Sequence, residues 1–181
     1  HPSKIVFTGD PNWLPFEAFD DQGHYIGIVS SFLKKFTDDT GIEFEFRPTD
    51  SWSETLELAN KREVDVLSDV LGSLTLRDHY TFTNSYISNN LVVISNNVGG
   101  QITDVTDISP SPIGIIKGYG YTWGLYERYP DTYFVEVDNI QAGLVALEDG
   151  KFNYLITTYA LGQFQLTTLE KNHLSIRGQL P

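Results

Sequence analysis

The chain has 181 residues, 40% of them hydrophobic, which suffices for one large domain or two small lobes with a buried core. Its 24 acidic residues outnumber 12 basic ones, and a formal charge of -12 repels phosphate backbones and anionic membrane faces over about 8 Å, so nucleic acid is not an expected partner. The absence of cysteine excludes disulfides and thiolate chemistry, and no apolar run reaches the roughly 18 residues that span a bilayer. With His1 first and no methionine, the sequence reads as a processed chain or a piece of a longer one, any leader or anchor lying outside it.

In chain order, "KIVFT" (4–8) is β-branched and aromatic and predicts a buried strand. It delivers the chain into "DPNWLPFEAF", after which the turn "DDQG" predicts a hairpin with "HYIGI". "SSFLKKFTDDTG" carries Phe32, Leu33 and Phe36 at helical spacing, with Ser30 or Ser31 as N-cap and Gly41 as stop. A strand "IEFEFRP" follows, then a helix opened by Ser51 and Glu54 in capping-box spacing, then a strand in "VDVLSDV". This β, α, β, α, β order predicts a parallel sheet with helices on it and a ligand crevice at the strand C-termini. After "NLVVIS", the Asn, Gly, Asp, Ser and Pro of "NNVGGQITDVTDISPSP" read as a linker. The alternation then restarts. "IGIIKG" is a strand, "YTWGLYERYP" a helix stopped by Pro130, and "YFVEV" a strand; "NIQAGLVALEDGK" is an amphipathic helix with Asp138 as N-cap and Ile140, Leu144, Val145 and Leu147 on one side. "FNYLIT", "YALGQFQLTTLEK" and "LSIRG" give strand, helix and strand. The expected organisation is lobe 1 over 1–95, a hinge over 96–112, lobe 2 over 113–176, and the start of a return crossing at 177–181.

Two α/β lobes imply a cleft for a small ligand between them. Trp13, Phe16 and Phe19 follow the first strand; Trp13 and Phe16 are expected to face the cleft and Phe19 the core. Pro15 stiffens the backbone that presents them. Ser73, Thr75 and Arg77 follow the third strand, a guanidinium beside hydroxyls being suited to a carboxylate. Gly118 and Gly120, with Tyr119 and Tyr121, open a helix whose N–H groups can meet an anion, without the Lys-Ser/Thr pair of a P-loop. There is no HExxH and no GxSxG, and His1, His24, His79 and His173 are scattered, so no metal, cofactor or catalytic nucleophile is expected. Asp20, Asp21, Asp38 and Asp39 belong to turns or a helix end, whereas Glu17 and Asp69 lie nearer the expected cleft.

The order "W.PFE.FDDQG.Y.GI", "VDVLSDV", "T.R....FT.SY", "IGIIKGYGY" and "VALEDGKFNYLIT" resembles the bacterial family 3 extracellular solute-binding proteins, over nearly the whole chain. Within them it is most similar to the Venus-flytrap sensor domains of BvgS-type hybrid histidine kinases. The resemblance implies an α/β, two-lobed periplasmic-binding-protein-like fold (type II, Venus flytrap), here stopping short of the C-terminal return to lobe 1. It also implies a ligand that stabilises the closed state. Its ligand-binding residues would be Trp13 or Phe16, then Ser73, Thr75 and Arg77, then Gly118, Tyr119, Gly120 and Tyr121. Thr158 falls where amino-acid binders carry an acid for the α-ammonium, and Arg77 stands one residue nearer Phe82 than the family's spacing.

The expected function is an extracytoplasmic, non-enzymatic sensory domain, on the periplasmic or extracellular side of the inner membrane, binding a small carboxylate or amino-acid-like solute. Its expected partners are that ligand and a fused membrane-anchored signalling module, a histidine kinase or diguanylate cyclase; a homodimer is among the expected assemblies, and no cofactor is expected. Two alternatives stand beside it: a free periplasmic binding protein of an ABC transporter, and a cyclohexadienyl dehydratase-like enzyme with Glu17 as its acid.

Overall fold

A computed structural model describes residues 4–68, 80–96 and 99–181. They group into two units, His1–Phe82 and Thr83–Pro181. In the first, β1 (Lys4–Thr8) runs between β5 (Glu43–Phe46) and β6 (Val66–Leu67), both parallel to it. β2 (Asn12–Trp13), β3 (Glu17–Phe19) and β4 (Tyr25–Ile26) make a small antiparallel sheet. Its last turn closes because the Asp20 carboxylate accepts the N–H groups of Gln22 and His24 at 2.9 and 2.8 Å.

Helix α1 (Ile28–Thr40) begins earlier than expected: Gly27 is the N-cap, and neither Ser30 nor Ser31 caps it. Tertiary acceptors replace the side-chain cap, since Ile28 N–H donates to the Pro15 carbonyl at 3.1 Å and Val29 N–H to that of Phe16 at 3.0 Å. Gly41 ends the helix in the left-handed conformation. The helical spacing of Phe32, Leu33 and Phe36 is borne out, but of the apolar residues of α1 Val29 is buried, while Phe32 and Phe36 are 56% and 45% exposed. Helix α2 (Trp52–Asn60) is capped by Ser51, whose hydroxyl accepts from Glu54 N–H at 3.2 Å. Glu54 reaches back one residue further than a capping box requires, to Asp50 N–H. Phe7, Tyr25, Phe44 and Phe46 pack ring against ring, with centroids 4.9–6.4 Å apart, beside the parallel sheet.

The second unit holds a five-stranded sheet in the order β11-β7-β10-β8-β9, from β7 (Leu91–Ser95), β8 (Ile113–Ile116), β9 (Phe134–Val137), β10 (Tyr154–Thr158) and β11 (Ser175–Gln179). β8 is parallel to β9 and β10, whereas β7 is antiparallel to both β10 and β11. Helices α3 (Gly120–Arg128), α4 (Ile140–Glu148) and α5 (Tyr159–Thr168) alternate with these strands. Val92, Val93, Ile94, Ile113, Ile115, Leu155 and Ile156 are sealed at 0–1% exposure, which is why these strands read as unbroken apolar runs.

The division into units differs from the expected lobes. The strand placed in lobe 1, Leu91–Ser95, is hydrogen-bonded inside the second sheet, because its two backbone edges pair with β10 and β11 while its apolar side chains are buried. Much of the expected hinge is core instead: Ile102, Val105 and Ile108, three residues apart, pack with Ile113, Ile115 and Leu125. A 3-10 turn over Val105–Asp107, capped by Asp104, makes that spacing. The 177–181 stretch continues β11 alongside β7, Leu180 N–H donating to the Leu91 carbonyl. On α4 the N-cap is Asn139, which accepts from Ala142 N–H at 2.8 Å, not Asp138. Val145 is 53% exposed, and Gly143 and Ala146 complete the buried side with Ile140, Leu144 and Leu147.

Candidate functional site

In the first unit the chain leaves β1 at Thr8 and passes Gly9, Asp10 and Pro11 before Trp13, which pairs with Glu17 across β2 and β3. Phe16 N–H donates to the Trp13 carbonyl at 2.9 Å, so the loop between them is a tight turn, and the two rings sit 5.0 Å apart. Trp13 is buried at 7% exposure and Phe16 is half-buried, so Phe16 is the more accessible of the two rings expected to face a ligand. Phe19, expected in the core, is also half-buried and tilts against Tyr25 at 5.3 Å. Ser73, Thr75, Arg77, Asp69 and His79 lie outside the described residues; the described chain stops at buried Ser68, whose N–H donates to the Thr8 carbonyl.

Glu17 is not the exposed acid that an enzyme alternative requires. Its side chain is sealed at 0% exposure, accepting Asp10 N–H at 2.7 Å and the Tyr25 hydroxyl. Burial pushes its carboxyl up to about 8, with the Asp10 carboxylate acting in the same direction and the bonds from Tyr25, Asp10 and Ser68 opposing. Among the described residues no group of three or more His, Asp or Glu side chains is placed to hold a metal ion.

In the second unit, β8 and β10 run parallel with Ile115 opposite Ile156, so the segments that follow each strand emerge at one edge of the sheet. Gly118 takes φ +77, a left-handed conformation that favours glycine, and turns the chain from β8 into α3. α3 starts at Gly120 with extended Tyr119 at its N-cap and no side-chain cap. Thr122 closes the first turn from inside, its hydroxyl donating to the Ile116 carbonyl at 2.8 Å. Tyr119 is buried and meets half-buried Tyr121 edge-on at 5.6 Å.

Thr158, at the end of β10, is 3% exposed and is the N-cap residue of α5. Sequence reasoning missed what surrounds it: Tyr159 N–H donates to the Asn90 carbonyl at 2.8 Å, and Ala160 N–H to Asn89 Oδ1 at 3.3 Å. The Asn pair of "SNNL" thereby occupies the first N–H groups of α5. Paired Asn before a strand is a signal for such capping, although nothing in the sequence says which helix it reaches.

The fold matches a solved histidine kinase sensor domain with similarity to periplasmic binding proteins, at TM-score 0.88 and 19% identity, covering 97% of this chain and 77% of that one. Among curated proteins, the virulence sensor protein BvgS of Bordetella bronchiseptica is 19% identical over 168 residues, 93% of this chain and 14% of that protein. The membrane-bound lytic murein transglycosylase F of Pseudomonas fluorescens (strain Pf0-1) is 23% identical over 168 residues, 90% of this chain and 32% of that protein. The chain thus spans a third or less of the length of these curated relatives. Among the described residues, no helix is long and apolar enough to cross a membrane. With residues 5–173 matching the family profile, the two α/β units and their loops are those of the bacterial extracellular solute-binding proteins, family 3, and the chain belongs to that family.

Proposed function

We propose that the chain is an extracytoplasmic ligand-binding sensory domain of a membrane signalling receptor, taking a small carboxylate or amino-acid-like solute. The observation that carries this reading is the shared sheet edge in the second unit, where parallel β8 and β10 bring the Gly118–Tyr121 turn and Thr158 to the strand C-termini. Ligands of α/β folds bind at such edges, and α3 opens there. Within the first unit taken by itself, Phe16, half-buried beside Trp13, is the proposed apolar contact, and Arg77 the proposed charge for a carboxylate. Likeness to BvgS and to a histidine kinase sensor domain favours a signalling module as the fused partner. Binding is favoured over catalysis, since Glu17 is sealed.

A thermal-shift screen of the chain against organic acids, amino acids and polyamines tests the proposal. A true ligand at a hundredfold excess over its Kd is expected to add about 2.7 kcal/mol of stability. A panel with no shift at any member would overturn ligand binding as the domain's role.

A further inference from the structure

The buried carboxyl of Glu17 lies where three segments of the first unit meet. From β3 it reaches the loop after β1, accepting Asp10 N–H at 2.7 Å; it takes the hydroxyl of Tyr25 on β4; and it is hydrogen-bonded by the Ser68 side chain just past β6. The Gly9 backbone lies directly against it, for a Cβ there would stand 2.3 Å from Glu17 Oε2. The same junction is fastened again by Ser68 N–H to the Thr8 carbonyl at 3.0 Å and by Thr55 Oγ1 to the Gly9 carbonyl at 3.0 Å. Two of the three segments bear directly on the proposed site: the first leads through Trp13 to Phe16, and the third leads into the residues that include Ser73, Thr75 and Arg77.

A glutamine could make a similar set of bonds, so the carboxyl brings one further property, its proton. The charged group that faces it from the β1 loop is Asp10, itself an acid at 4% exposure; β4 presents Tyr25 and β6 presents Ser68. Ionising Glu17 would place a second negative charge beside Asp10 in a site without water contact, which is costly. We propose that Glu17 is the positioning residue of the aromatic turn, an enclosed neutral acid that fastens Gly9–Phe16 to Tyr25 and Ser68 and releases the turn when it loses its proton. The consequence for solute binding rests on the function proposed above; the fastening does not.

The sign follows from burial, which raises the pKa from 4.5 to about 8. The released turn gives up this proton near pH 4.5 and the fastened turn only near pH 8, so protection of the turn falls as pH rises toward 8 and levels out above it. Backbone amide exchange across residues 9–19, corrected for intrinsic rates, tests this on the full chain and on Glu17→Gln between pH 6.5 and 9.5, with α4 amides as internal reference. The wild type is expected to lose at least tenfold in protection between pH 6.5 and about 8 and to level out above that, and Glu17→Gln to stay level throughout. Tyr25→Phe removes a bond that favours the ionised form and is expected to move the pH at which the loss levels out upward. A pH-independent wild type, the same profile in Glu17→Gln, or an unmoved levelling pH in Tyr25→Phe would overturn the proposal. A panel solute that stabilises at pH 6.5 should bind the wild type at least tenfold more weakly at pH 9.5, and Glu17→Gln equally at both. If no panel solute binds, the sensory reading fails, and amide exchange alone decides the role of Glu17.

Discussion

Single side chains carry the sharpest chemistry in this protein. Arg77→Ala is expected to abolish binding of an anionic solute while changing stability by no more than about 0.5 kcal/mol. Calorimetric titration with whichever acid the screen selects, beside a denaturant melt, checks both halves; loss of the fold would mark Arg77 as structural. In the second unit Leu147, at 0% exposure in the core face of α4, is expected to cost about 2–5 kcal/mol when cut back to alanine. Val145, two residues earlier and on the other side of the helix, 53% exposed, should tolerate the same change nearly free of cost. Comparing the two melts tests the helix face that the structure assigns over the one read from spacing.

At the scale of elements, helix starts are set by whichever acceptor lies nearest. Asn139 caps α4 with its own side chain, and Asn139→Ala is expected to cost about 1 kcal/mol in a urea melt. α1 is capped by carbonyls of the Pro15–Phe16 turn, so Ser30→Ala and Ser31→Ala should leave stability unchanged within about 0.5 kcal/mol. β11 is irregular where its register with β7 shifts between Ile176 and Gly178. A Cβ at Gly178 would fall 1.7 Å from the Ile102 carbonyl oxygen, while Ile102 N–H donates to the Arg177 carbonyl at 2.9 Å. Gly178→Ala therefore has to displace backbone, and a loss of about 1–3 kcal/mol is expected, read as a lower urea midpoint. An unchanged midpoint would show that the 99–102 segment does not pack on β11.

Over the whole molecule, Glu17 ties stability to pH. Because its folded pKa is raised, its contribution is complete below about pH 4.5 and is lost progressively as pH rises to about 8, the unfolded chain having released the proton first. Thermal melts from pH 5 to 8.5 are expected to fall more steeply for the wild type than for Glu17→Gln. Acid groups at the surface pull the other way, since Asp20, Asp104, Asp107 and Glu148 are held below their ordinary values by hydrogen bonds and, for Glu148, by Lys171. Their protonation costs stability only toward low pH. The difference between wild type and Glu17→Gln isolates the one buried group from that background.

The alternation of strands and helices, the β3–β4 hairpin, Gly41 as a helix stop and the family itself were legible in the sequence. Each rests on local patterning: period-two or unbroken apolar runs, turn residues, and motif order along the chain. Tertiary structure alone decided the remainder. It moved Leu91–Ser95 and Ile102–Ile108 into the second core, because strand pairing and packing across distant segments outweigh the polar, Gly- and Pro-bearing look of the stretch between them. It left Phe32 and Phe36 exposed, because a helix buries only the side that meets a neighbour. And it turned Glu17 from one carboxylate in an acidic loop into an enclosed acid, since burial depends on Tyr25, Gly9 and Ser68 arriving from separate parts of the chain.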